Sequence, residues 1–202
     1  MRIAVFGATG MIGSRIVAEG ARRGHDVIAL SRSGDDVPGA RAARRADMAD
    51  AEDVAAAAAD ADVVISATGP SRTGRPHEDW LHAVECLVRR AVGTRLLVVG
   101  GAGTLEVDGV RLLDAPDFPA AYHAEAVTQA EALSLLRGAE RADWTVVSPA
   151  PEIGPGERAA EYASGADSPA GGRISAETFA VAILDEVERP AHAGERFTVA
   201  DL

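Results

Sequence analysis

A chain of 202 residues with a formal charge of −11, 47% apolar but only 4% aromatic, suits a single α/β domain with helices packed closely on a sheet. So acidic a chain repels nucleic-acid phosphates, and its one basic patch, Arg41, Arg44 and Arg45, is too short to form a binding stripe, so no nucleic-acid partner is expected. The lone cysteine, Cys86, allows no internal disulfide, and no apolar run resembles a signal peptide or a membrane span, so a cytoplasmic location without a membrane partner is expected.

Residues 2–6 (RIAVF) predict a short buried strand, and residues 11–23 a helix with Ile12, Ile16 and Val17 on one side, ended by Gly24. Residues 26–30 predict a second strand. A third is expected near 41–46, although RAARRA is a poor strand sequence. An Ala-rich helix over 52–59, a strand over 62–66, a helix over 78–92, a strand over 95–99, a helix over 121–137 and a strand over 144–148 follow. Short apolar strands alternating with helices imply a doubly wound parallel sheet covered on both faces. From Pro149 to Gly172 the composition turns to Pro, Gly, Ser and Ala, which predicts an irregular segment lying over the sheet and covering a substrate, with residues 1–202 forming one domain. Ser175 is the expected N-cap of a last helix, with Glu177 in its first turn and Phe179, Ile183 and Val187 on one face. Pro190 ends it, and residues 196–199 close the fold as a strand. Cys86, Trp80, Trp144 and Phe179 are expected in the core.

The strongest chemical signal is Gly7-Ala8-Thr9-Gly10-Met11-Ile12-Gly13, between the first strand and the first helix. Gly7 allows the turn out of the strand, Gly10 a close approach of backbone to a pyrophosphate, and Gly13 close packing of helix on sheet. The helix start, Met11 and Ile12 included, then presents free N–H groups and the positive dipole end to the anion. The spacing is GxxGxxG rather than GxGxxG, and the structural alternative is a Gly-rich turn. The second strand ends in Ser31-Arg32-Ser33, where an NAD-selective site places an acid for the ribose 2′-hydroxyl. Arg32, with Ser33 beside it, suits a 2′-phosphate instead, so NADP(H) is favoured over NAD(H). The alternative is a surface arginine, and Asp35 and Asp36 lie close by. Asp47, where the chain leaves the third strand, is placed either to meet the adenine amine or as a solvated loop residue.

GATGMIG (7–13), VVISATGP (63–70), RLLVVGGAGTLEV (95–107), DWTVVSPAPEIGPGER (143–158) and GERFTVAD (194–201) together resemble the atypical short-chain dehydrogenases/reductases, in their small NmrA-like NAD(P)H-binding branch. Within it the chain is most similar to the bacterial NADH–flavin reductases and to biliverdin reductase B, and the resemblance runs over essentially the whole chain. It implies a Rossmann-type sheet with the cofactor across the C-terminal strand ends. Residues 7–13 and Arg32 would hold the adenosine half, Thr68 and Gly69 would approach the nicotinamide ribose, and Ser148, Pro149, Ala150 and Ile153 would border the nicotinamide ring.

Standard members of that superfamily use a Tyr-x-x-x-Lys pair with a serine. Here Tyr122 matches the tyrosine and Ala126 stands in the lysine's place, while Gly100-Gly101 stands where the serine is expected. The chain contains no lysine and no asparagine at all, which also rules out Schiff-base chemistry and a Walker-type phosphate lysine. A ketone accepting hydride builds an alkoxide that needs a proton donor, whereas a flavin or linear tetrapyrrole delocalises the electron pair. The expectation is therefore an NADPH-dependent reductase of a flavin or similar small-molecule acceptor, working as a monomer or small homo-oligomer. Tyr122 and His123 are its candidate proton donors, although His123 also reads as a histidine at a helix start. Arg72, Arg75 and Arg158 are candidates to grip an acceptor phosphate, or are plain solvated residues. A non-catalytic NADP(H) sensor is the alternative, and a nucleotide-sugar epimerase or isomerase a further one, against which the missing Tyr–Lys pair counts. His77, Glu78, Asp79 and His82 carry ligand-type groups, but histidines five apart do not share a helix face, so no metal site is expected.

Overall fold

In β1 (Arg2–Phe6) every residue after Arg2 is buried, Ile3 and Val5 in one core and Ala4 and Phe6 in another. A strand apolar at both parities needs cover on both faces, and the rest of the chain supplies it. The computed structural model, which describes residues 1–202, places β1 beside β2 (Asp26–Ser31) and β4 (Val63–Ser66), all parallel. The sheet continues through β3 (Ala42–Arg45) on one side. On the other it continues through β5 (Arg95–Val99), β8 (Trp144–Pro149), β12 (Glu195–Ala200) and β10 (Ala163–Gly165). The eight strands run in the order β10-β12-β8-β5-β4-β1-β2-β3, and only β10 is antiparallel to its neighbour. The chain steps outward from β1 to β3 and then crosses back to β4, so the winding reverses at the β1/β4 seam. Such a switch point leaves a crevice at the C-terminal strand ends.

Helix α1 (Met11–Arg22) and helix α5 (Ala176–Glu188) cover one face, burying Ile16, Val17, Phe179 and Ile183. Helices α2 (Ala51–Asp60), α3 (Glu78–Arg90) and α4 (Ala120–Arg137) cover the other, where Trp80, Val84, Leu87, Leu133 and Trp144 form the second core. Ser175 caps α5 as its position predicts, accepting the Thr178 N–H at 3.0 Å. The weakly patterned 41–46 stretch does form β3. As an edge strand it needs only one backbone partner, and its exposed Arg44 reaches Asp60 at 2.7 Å. Cys86 is half-buried against the second core rather than fully enclosed, and burial pushes its thiol pKa up. No helix is long and apolar enough to cross a membrane.

One expectation about the C-terminal segment is corrected. The 149–172 segment is not irregular throughout. β9 (Glu152–Gly154) pairs in parallel with β11 (Arg173–Ser175), and β10 extends the main sheet at Ala163–Gly165. Backbone hydrogen bonding suffices for such short strands, so composition did not announce them. A hairpin of β6 (Glu106–Val107) and β7 (Val110–Arg111) also forms, turning on Asp108 and Gly109, both at positive φ (53° and 79°).

Candidate functional site

The Gly7–Gly10 turn is held by main-chain hydrogen bonds. Gly7 leaves β1 at φ 76°, and the Gly7 and Ala8 N–H groups both donate to the Leu30 carbonyl (3.0 and 3.3 Å). A Cβ at Gly7 would lie 2.7 Å from the Ala67 oxygen, and one at Gly13 only 2.1 Å from the Gly7 oxygen. Both glycines therefore draw α1 and the end of β4 against the loop. Thr9 and Gly10 are exposed at its crest, Met11 is 40% exposed, and Ile12 packs half-buried on the first core. Helix α1 starts without a capping side chain and without an acid in its first turn. By contrast, α2 and α5 are capped by Asp50 and Ser175, and both have acids there. Its first-turn N–H groups and positive dipole end are thus left for an anion from outside.

At the end of β2 the two serines are used locally. Ser31 Oγ accepts the Gly34 N–H at 2.9 Å, and Ser33 donates to Asp35 at 2.6 Å. Arg32 between them is exposed, and while most of the arginines are ion-paired within the chain, Arg32 is not. Arg45 is likewise exposed and unpaired at the end of β3. It is registered opposite Ser31, with the Gly34 turn packed on its backbone. Residue-by-residue reading missed Arg45 because the weak strand pattern gave no register. Asp47 is exposed and caps a local turn through the Ala49 N–H at 3.0 Å.

The ends of β4, β5 and β8 complete the crevice. Thr68 adjoins the glycine loop, but its hydroxyl is committed: it accepts the Trp80 indole N–H at 3.0 Å and bonds Ser66 Oγ at 2.9 Å. Gly69 beyond it is exposed. Ser148 is fully buried, its Oγ without a partner beside Gly100 and Val146, and Pro149 and Ala150 are buried too. Ser148 and Ala150 are 0% exposed, so the expectation that they border the nicotinamide ring is corrected: packing at the end of β8 in the sheet leaves neither any surface for a ligand. Ile153 is half-buried against the first core.

Helix α4 approaches from above. Tyr122, Ala126 and Gln129 share one of its faces by helical spacing. Tyr122 is 56% exposed. Ala126 is buried against Gly103, where an added Cβ would come within 2.7 Å of its methyl, so the lysine's place is a packing contact. His123 is exposed and stands edge-on to Phe118. Gln129 lies across Gly101 toward Gly69, a placement that no local sequence signal announced.

The three arginines considered for an acceptor phosphate are all ion-paired within the chain, Arg75 to Asp79 at 3.4 Å. Arg72 makes a two-pronged bond to Glu125 on α4 (2.8 and 2.7 Å), which raises its pKa and fixes its charge to that partner. With His77 bonded to the Ser71 carbonyl and Thr128 Oγ1, this ties the 69–77 loop to α4. Arg158 is bound in the same two-pronged way to Glu19 of α1 (both 2.9 Å), which straps the 155–162 segment across the α1/α5 pair. Farther along that strap, burial pushes the Tyr162 phenol up to about 12, with Asp185 beside it adding to the shift. A groove of about 530 Å³ lies between the strap, β11 and the start of α5, lined by Gly156, Glu157, Arg173 and Asp201. The Arg15–Glu177 pair (3.0 Å) stands between this groove and the first turn of α1. No group of three or more His, Cys, Asp or Glu side chains is placed to hold a metal ion.

Comparison with known proteins agrees with this geometry. The family model described as NAD(P)H-binding matches residues 7–190. The chain is 37% identical to YwnB of Bacillus subtilis, over 98% of both chains. Among solved structures it is similar to a Burkholderia pseudomallei protein provisionally named as exported, at 43% identity, TM-score 0.88 and 99% of each chain. It is also similar to SP1627 of Streptococcus pneumoniae, provisionally named an NADH-flavin reductase, at 34% identity, TM-score 0.87 and 100% of each chain.

Proposed function

Because the chain belongs to the NAD(P)H-binding family, we propose that it is a reductase that passes hydride from NADPH to a flavin or a similarly conjugated acceptor. The observation that carries this reading is the uncapped start of α1 inside the glycine cradle, with the unpaired Arg32 one strand away. Backbone N–H groups of Thr9 and of residues 11–13 would hold the pyrophosphate, and Arg32, with Arg45 behind it, would meet a 2′-phosphate with charge-assisted hydrogen bonds. Thr68 and Gly69 would approach the next sugar through their backbone, and Pro149 and Ile153 would border the ring. When bound, NADPH supplies the hydride.

The chain's own contribution to proton transfer is slight. Tyr122 has no lysine or asparagine in the chain to activate it as a proton donor, and His123 faces solvent beside Phe118. Such a site favours an acceptor that spreads the incoming electron pair over a conjugated ring and takes its proton from water. The test is NADPH and NADH oxidation by the pure protein with FMN or riboflavin present and absent. Flavin-dependent turnover, faster with NADPH, is the expected result. Tight NADPH binding without turnover for any conjugated acceptor overturns the reductase and favours a sensor.

Arg32→Ala isolates the cofactor preference. Loss of one charge-assisted contact to phosphate is expected to weaken NADPH binding at least about tenfold. NADH binding should stay within about twofold, since no 2′-phosphate is involved. Equal losses for the two cofactors would remove the arginine from the specificity site.

A further inference from the structure

We propose that Gln129 anchors the nicotinamide-side ribose of the bound dinucleotide, an inference that rests on the dinucleotide reading above. Gln129 is the only glutamine in a chain with no asparagine, so it carries the protein's sole side-chain carboxamide. Its stem runs along the end of β5, where its Cβ, Cγ and Cδ lie 3.4–3.6 Å from where a Gly101 side chain would begin. Its amide end reaches the end of β4, 3.8 Å from the corresponding point at Gly69. A side chain beginning at either glycine would start in van der Waals contact with Gln129, so the two glycines bracket its side chain. The amide bonds nothing in the protein, although its neighbour Thr128 is held by both His77 and the Ala124 carbonyl.

The order of strands fixes what should lie beneath it. Arg32 stands at the end of β2, the glycine loop at the end of β1, and Gly69 at the end of β4, consecutive neighbours in the sheet. Adjacent strands are about 4.8 Å apart, so a dinucleotide with its 2′-phosphate on Arg32 and its pyrophosphate on the loop brings its second sugar to the end of β4. A ribose there offers two vicinal hydroxyls, each both donor and acceptor. A carboxamide, with one acceptor oxygen and two N–H donors, accepts from one hydroxyl and donates to the other without bringing a charge to the site. Being neutral, it grips the sugar without adding a charge beside the ring, which suits an acceptor that needs no acid catalyst from the protein.

The experiment compares Gln129→Leu with the parent protein for two ligands, NADPH and adenosine 2′,5′-bisphosphate, which carries only the adenosine half. Loss of the ribose contact is expected to raise the NADPH Kd about tenfold. The bisphosphate Kd should be unchanged, which also shows that the variant is folded with an intact phosphate loop. Equal weakening of both ligands, or of neither, overturns the assignment. A parent protein that binds NADH but not NADPH breaks the Arg32 preference alone, and the same comparison then runs with NADH and 5′-AMP. A parent protein that binds no dinucleotide overturns the family-level site and this inference together.

Discussion

Gly13→Ala is expected to cost the protein its dinucleotide binding, with an NADPH Kd raised by roughly 100-fold or more, the equivalent of about 2.8 kcal/mol. The new methyl would sit 2.1 Å from the Gly7 carbonyl oxygen, 2.8 Å from its carbon and 2.9 Å from the Ala8 Cα. All three are backbone atoms, so no side chain can swing aside. The backbone itself is pinned, since Gly7 and Ala8 both donate to Leu30 and the Gly10 N–H returns to the Gly7 carbonyl at 3.0 Å. Either α1 backs away from the sheet or the loop breaks these bonds, and both displace the N–H groups that would face the pyrophosphate. Overpacking of this kind also lowers stability, by about 1–3 kcal/mol. Gly172→Ala is the control, because nothing lies within 4 Å of its added methyl. Fluorescence titration with NADPH and a thermal melt of both variants decide the matter. Near-parental affinity in Gly13→Ala would reduce the loop to a structural turn.

Glu19→Ala should produce the largest loss of stability of any single charge removal in the chain. Glu19 is 5% exposed on α1 and receives Arg22 (2.8 and 2.7 Å), Arg23 (2.8 Å) and Arg158 (both 2.9 Å). Burial alone would favour the neutral acid, but hydrogen bonds from Arg22, Arg158 and Arg23 outweigh it and hold the carboxyl well below the usual carboxylate range. Removing the anion strands Arg23, whose side chain is 12% exposed, on Asp185 and Glu188 alone and releases the strap that Arg158 secures. Breaking a buried charge cluster from one side costs about 3 kcal/mol or more. For a chain of this length that corresponds to a Tm lowered by roughly 6–12 °C. Arg158→Ala removes one half-exposed arm and leaves Arg22 and Arg23 on Glu19, so its melt should shift far less while limited proteolysis now cuts near residues 155–162.

The same cluster sets a pH dependence. A carboxyl whose folded pKa is depressed contributes stability that is complete above its unfolded pKa, near about 4.3, and lost as pH falls through and below that value. The parent Tm should therefore drop below about pH 4.5, and Glu19→Gln should flatten part of that drop while lying below the parent at neutral pH. Parallel curves for the two proteins would show that Glu19 is not the group responsible.

The sequence by itself determined the elements whose signal is local. The run from Arg2 to Phe6, the glycines at 7, 10 and 13, the alternation of apolar strands with amphipathic helices and the Ser175 cap each act within a few residues, and each is found where expected. The Asp108-Gly109 turn between Val107 and Val110 is a two-residue hairpin, but strands of only two residues carry no alternation that marks them in the sequence. Tertiary structure alone decided the rest. β10, β9 and β11 exist because backbone from distant parts of the chain runs alongside them, as Ala163 does with Ala200, and Glu152 with Arg173. Charge identity did not reveal that Arg72 and Arg158 are consumed by Glu125 and Glu19 while Arg32 and Arg45 stay free. A side chain's partner lies wherever the fold brings it, 53 residues away for Arg72 and 139 for Arg158, and no pattern in the neighbouring sequence encodes such a distance. For the same reason Gln129 is an ordinary helix residue in the sequence, and only the meeting of α4 with the ends of β4 and β5 sets its amide over the crevice.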